Sequence, residues 1–185
     1  MISSTRYFQN SSSPPLGDQA ACDLFARVHS RGQWLQVWSL LKRKPRGLLP
    51  LKCIDEGSIE NIQVKAGIQI VPISQIRGSE NRFDDFDCDF YPLKNCTRDR
   101  WLRIASARMQ GKYLPPVVLV QVGDLYFVRD GHHRISVARA LRETVVQAKV
   151  IVWHLADISR QKASCPSCQP ILSPLAKAQG NRLSA

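Results

Sequence analysis

The residues best placed to do chemistry are Asp130-Gly131-His132-His133-Arg134. They lie between an apolar run, Leu125-Tyr126-Phe127-Val128, and a helical pattern through Ile135, Ala138 and Leu141. A glycine at such a junction lets backbone come close to a ligand. A helix that begins near His132 aims free N–H groups and the positive end of its dipole at whatever lies in front of it. Arg134 and the two histidines add donors and positive charge. The chemistry is phosphate binding, with Asp130, Gly131, His132, His133 and Arg134 as the binding residues. The competing reading is a plain Asp-Gly turn followed by an ordinary helix cap.

A second group is carboxylate. Asp84, Asp85, Asp87 and Asp89 crowd one loop, and Glu80 precedes it. Clustered carboxylates hold hard cations such as Mg2+, and a carboxylate can take a proton from a hydroxyl. Asp85 is the candidate catalytic residue of this loop. The competing reading pairs these charges with Arg82, Arg98 and Arg100 on a solvated loop. His132, His133 and Asp130 also raise the idea of a metal-dependent nuclease. Consecutive helical residues point about 100° apart, so both histidines do not suit one ion and no metal site is expected. Cys165-Pro166-Ser167-Cys168 is a lone CxxC without the second pair a zinc site uses, and reads as incidental thiols. Arg100 and Arg103 are three apart and are expected to share a helix face, turned to phosphate across a cleft or to solvent.

These residues need elements to position them. Ile68–Ile73 reads as a strand, and 77–97 as a long polar loop of the kind that is often functional. Thr97 is expected to cap a helix over Arg98–Met109 that Gly111 ends. Val117–Val120 and Leu125–Val128 read as a hairpin joined by Gly123-Asp124. After the second helix, Val145–Trp153 is a last strand. The fold class is therefore α+β, a small mixed sheet with flanking helices. Upstream, Asp18 is expected to cap a helix carrying Ala21, Leu24, Phe25 and Val28, then Leu35, Trp38 and Leu41. Gly32 is expected to weaken or break it, and Pro45 and Gly47 to end it. Trp34 and Trp38, one turn apart, are expected to pack on the following domain; a platform for bases is the alternative. A short helix is expected after Gly57-Ser58. The organisation is a flexible tail (1–17), a helical extension (18–65), the α+β domain (66–153) and a loose tail (154–185).

With 185 residues and 20.9 kDa, the chain fits one domain plus extensions. Its 44% hydrophobic and 22% charged residues exclude wholesale disorder and a fibrous protein. No apolar run approaches the roughly 18 residues of a membrane span, so no membrane partner is expected. Met1–Asn10 lacks the apolar core of a secretory signal, and a cytoplasmic location with reduced cysteines is expected. The net charge of +11 points to an anionic partner, nucleotide or nucleic acid. The excess is spread: +4 over 1–65, +4 over 66–152 and +3 over 153–185. Only 42–46 is dense, and it reads as a solvated helix end, with a phosphate-binding patch as the alternative.

Residues 68–152 resemble the ParB/sulfiredoxin fold. The likeness is carried by Val71-Pro72-Ile73-Ser74-Gln75-Ile76, the Arg98–Met109 helix, Leu114-Pro115-Pro116-Val117-Val118 and the run Tyr126–Leu141 around the DGHHR turn. The resemblance implies a nucleotide di- or triphosphate at 130–134: ATP, ADP or CTP, with Mg2+ as companion. Partition proteins of the ParB type use a Gly-Glu-Arg-Arg turn for CTP; Gly131 and Arg134 match, while His132 and His133 replace the Glu and first Arg. Sulfiredoxins carry Gly-Gly-Cys-His-Arg; His132 stands where their nucleophilic cysteine would be, which speaks against that chemistry. Free-serine kinases of this fold carry Asp-Gly-His-Thr-Arg, matched except for His133. Their upstream acidic base would fall on Glu80. The RFDDFD loop at 82–87 and the TRDRW helix start at 97–101 also resemble uncharacterised bacterial ParB-like proteins. The 33 residues after Val152 leave no room for a helix-turn-helix module, so sequence-specific DNA partitioning is not expected. Two functions follow: a nucleotide-binding domain, with phosphoryl transfer or hydrolysis if it turns over, or a DNA-associated accessory or nuclease-like protein.

Overall fold

The computed structural model of the chain describes residues 16–43, 46–53, 59–82 and 84–155. The tail expected over 1–17 lies outside these residues up to position 15. The tail expected over 154–185 lies outside them from position 156, with the Cys165–Cys168 pair. Lys44 and Pro45 also lie outside them.

The architecture is α+β, as expected. Among the described residues, three α-helices, α1 (Leu16–Leu41), α2 (Arg98–Met109) and α3 (His132–Ala140), accompany seven strands: β1 (Leu49–Pro50), β2 (Ile59–Val64), β3 (Gln69–Pro72), β4 (Ile76–Ser79), β5 (Val117–Val122), β6 (Leu125–Asp130) and β7 (Val145–Leu155). The strands form one mixed sheet in the order β1-β4-β6-β5-β7-β2, with β3 also paired to β7. β5 and β6 are the expected antiparallel hairpin, turned at Gly123-Asp124. β5 runs parallel to β7, and β4 parallel to β6.

Period-two alternation gives this sheet two buried faces. Val117 and Leu119 join Ile135 and Ala138 of α3 in one core cluster. Val120 and Val122 face the other way, with Phe127 and Trp153. α3 is buried on two sides, because its Val137 packs with Trp101 and Ala105 of α2 and with Phe25 and Val28 of α1. Trp101 donates its Nε1–H to Ser136 Oγ at 2.8 Å, which pins α2 on α3.

Several sequence expectations change here. Helix α1 runs unbroken through Gly32. A Cβ on Gly32 would lie 2.8 Å from Tyr91 Cβ, so the glycine serves close packing and does not end the helix. Asp18 is inside the first turn and accepts from Ser106 Oγ of α2 at 2.6 Å. Thr97 makes no side-chain cap and bonds Lys94 O instead. The helical extension stops at Leu41. Residues 49–50 and 59–64 are strands of the main sheet, where a short helix was expected after Ser58. Trp34 and Trp38 do not pack on the domain: they are 72% and 51% exposed.

The polar loop is also a packed element. Phe86 and Phe90 are fully buried in the α3 core cluster. Asp87, buried as well, accepts the backbone N–H groups of Asp89 and Tyr91, each at 2.9 Å, and so organises the loop's turn.

Candidate functional site

The 130–134 turn sits where β6 hands over to α3. Gly131 has φ +105°, a left-handed conformation that favours glycine. A Cβ there would also lie 2.5 Å from Val117 Cγ1. Glycine is therefore required twice, by conformation and by the close seating of α3 on β5. The backbone N–H of Ile135 bonds Gly131 O at 3.0 Å, leaving the earlier N–H groups of the helix for a ligand.

In front of this helix start lies a recess of about 60 Å3, lined by Arg82, Arg100, Arg129, Arg134, His132 and His133, with Asp130 and Ile104 at its wall. By this measure a single water needs about 10–15 Å3, so the recess has room for a small anion such as phosphate. Four guanidinium groups face one carboxylate.

The two histidines are held by apolar surroundings. Phe86 stacks on His132 (centroids 6.0 Å, 17°) and meets His133 edge-on (5.3 Å, 86°). His132 Nε2 lies 2.7 Å from Ser79 Oγ, which also accepts the Arg82 backbone N–H at 2.9 Å. His133 is only 5% exposed, and its Nε2 is buried with no hydrogen-bond partner. A buried polar atom without a partner costs about 1–3 kcal/mol. Burial, then the neighbouring charges of Arg82 and the other histidine, lowers His132 from 6.5 to about 4. Burial, then Arg100 and Arg82, lowers His133 to about 4 as well. Both rings are neutral at pH 7.

Arg134 is already engaged. It donates to the carbonyls of Pro115 (2.5 Å) and Pro116 (2.9 Å) and pairs with Asp130 at 2.5 Å. Its first effect is to fix the Pro115-Pro116 entry to β5. Arg100 makes no ion pair among the described residues and faces the recess. Arg103, one turn on from Arg100, lines a separate cleft beside Asp18 and Cys22 and does not line the recess.

The two candidate carboxylates stand behind the arginines. Glu80 binds Arg129 through both oxygens, at 2.8 and 2.9 Å. Asp85 bonds Lys94 at 2.8 Å and Arg82 at 3.3 Å. Burial pushes the Asp85 carboxyl up, but Lys94 and Arg82 outweigh it and hold it below the ordinary carboxylate range. Neither carboxylate lines the recess; each grips an arginine that does.

Asp87, Cys88 and Asp89 place potential metal-ligand atoms within 4.8 Å of one another. Arg46 already bridges the two carboxylates, and Arg139 reaches Asp89 at 3.1 Å. The positive charge this cluster wants is supplied by the protein. Sequence reasoning missed Arg46 and Arg129 because their partners are 41 to 49 residues away.

No family model and no curated protein matches the chain. A solved structure it is similar to is sulfiredoxin from Arabidopsis thaliana, at 18% identity and a TM-score of 0.35, over 45% of this chain and 83% of that one. No described helix is long and apolar enough to cross a membrane.

Proposed function

We propose that the chain binds a phosphorylated small molecule at the 130–134 turn, a nucleotide di- or triphosphate such as ATP, ADP or CTP, with one phosphate in the recess. The observation that carries this is the buried, partnerless Nε2 of His133 inside a recess walled by four arginines at a helix start. A helix N-terminus alone favours anions only modestly. A neutral ring nitrogen without a partner, beside Arg100, which makes no ion pair among the described residues, favours an oxyanion there. The resemblance of the DGHHR run to the ParB/sulfiredoxin fold supports the same ligand class.

Arg100 would close on the phosphate from α2, and the first N–H groups of α3 would meet it from below. Arg129 and Arg82 would be presented by Glu80 and Asp85. Those two carboxylates are the candidates for accepting a proton if phosphoryl transfer or hydrolysis takes place. Each would first have to release its arginine, so binding is the primary proposal and turnover the secondary one. Mg2+ would enter with the nucleotide's own phosphates.

Calorimetric titration with ATP, ADP and CTP in the presence of Mg2+ tests this. Wild type should bind, and Arg100→Ala, which breaks no ion pair, should lose at least tenfold in affinity. Arg134→Lys should bind more weakly and also lower thermal stability. Binding unchanged in Arg100→Ala, or no heat with any nucleotide, would contradict the proposal.

A further inference from the structure

A second basic surface lies at the other end of α3. A groove of about 1110 Å3 runs between α1 and the α3 C-terminus. Arg27 and Arg31 line it from α1, Arg77 from β4 and Arg142 from the end of α3. Arg27 uses only its Nε, on Asp23 O. Arg31, Arg77 and Arg142 make no ion pair among the described residues. The two carboxylates in the groove are already matched. Asp89 is held by Arg46 and Arg139, and Glu143 by both ends of the Arg108 guanidinium. The groove therefore keeps an uncompensated positive charge.

The same helix stripe continues past the groove. Arg27, Arg31, Trp34 and Trp38 follow the spacing i, i+4, i+7, i+11, which keeps them on one side of α1. Both indoles are more than half exposed, and Lys42 Nζ sits 5.1 Å above the Trp38 ring. Two unpacked tryptophans in line with free guanidinium groups need a partner that is both planar and anionic.

We propose that this groove and stripe bind a single strand of nucleic acid, phosphates on Arg27, Arg31, Arg77 and Arg142, bases stacked on Trp34 and Trp38. Base–indole stacking and a cationic track are how sequence-tolerant single-strand binding is built. From Arg27 to Trp38 the helix rises about 16 Å, room for about four or five nucleotides at the 3.4 Å spacing of a strand. A flat bilayer surface would meet the indoles but not, at the same time, arginines that come from α1, β4 and the end of α3 around a groove. A duplex would meet the arginines but offers its bases only in the stack.

The test is fluorescence anisotropy of the full chain with labelled single-stranded oligonucleotides of about 15 residues, alongside a duplex of the same length and vesicles containing anionic lipid. Intrinsic tryptophan emission is followed in parallel. Single-strand binding with tryptophan quenching is expected. Trp34→Ala and Trp38→Ala should each weaken it about tenfold. Arg27→Ala with Arg31→Ala should flatten the log–log salt dependence by about 0.7 for each phosphate that the variant no longer neutralises. All four side chains are exposed, so unchanged circular dichroism will confirm that the variants fold. No single-strand binding, equal duplex binding without quenching, or a tryptophan blue shift on vesicles without oligonucleotide binding would each overturn it.

Discussion

At the scale of single residues, His132 and His133 decide how the candidate site responds to pH. Both titrate near 6.5 when unfolded and near 4 when folded. Between those values the unfolded chain binds more protons, so stability is full above pH 6.5 and falls as pH drops towards 4. The loss is about 1.4 kcal/mol for each histidine and each pH unit inside that window. Thermal denaturation from pH 7 to pH 4 should show it, and His133→Asn should remove part of the slope. Phosphate in the buffer should oppose the loss, because a bound anion favours the protonated rings. A melting temperature flat across that range would contradict the burial of these rings.

At the scale of elements, the side-chain networks decide what can be changed. Asp87→Ala would leave two loop N–H groups and Arg46 without their acceptor, a loss of about 3 kcal/mol or more. Gly32→Ala improves helix propensity by about 1 kcal/mol, yet its Cβ would overlap Tyr91. Overpacking of that kind costs about 1–3 kcal/mol, so chemical denaturation should show a net loss. A stabilised Gly32→Ala protein would mean that α1 does not pack on the loop as described. In the sequence, α2, the hairpin, α3 and β7 are legible because their signals are local: periodicity, a Gly-Asp turn, a glycine after the last helical residue. Strands β1 and β2 are hidden there, since β1 is two residues long, β2 is mostly exposed, and their partners β4 and β7 lie 29 to 96 residues away. Hidden too are the loop's two core phenylalanines, which are interleaved with aspartates that look solvated. One of those aspartates, Asp87, is buried for the sake of the backbone. The DGHHR turn stands out in the sequence as a candidate site by its residue types at a strand-to-helix junction, with a plain Asp-Gly turn as the competing reading. That Arg134 braces Pro115 and Pro116 is not legible there, since a guanidinium's choice between a ligand and a nearby carbonyl is made by tertiary geometry.

At the scale of the molecule, the +11 charge is not spread evenly in effect. Many arginines are neutralised locally; of those without an ion pair among the described residues, Arg100 lines the recess at His132–Arg134 and Arg27, Arg31, Arg77 and Arg142 line the groove, while Arg43 and Arg103 lie at neither. The two places share no lining side chain, so their ligands should bind independently. Arg27→Ala with Arg31→Ala should leave nucleotide affinity within about twofold of wild type. A larger change, read by calorimetry, would reveal coupling through α3. The central claim, that the recess takes an oxyanion on His133, is tested most directly by 15N NMR of the histidine side chains during titration with ADP. Binding should shift the His133 Nε2 resonance and raise the ring pKa well above 4. An unmoved His133 ring with ADP bound, or no ADP binding at all, would contradict the claim.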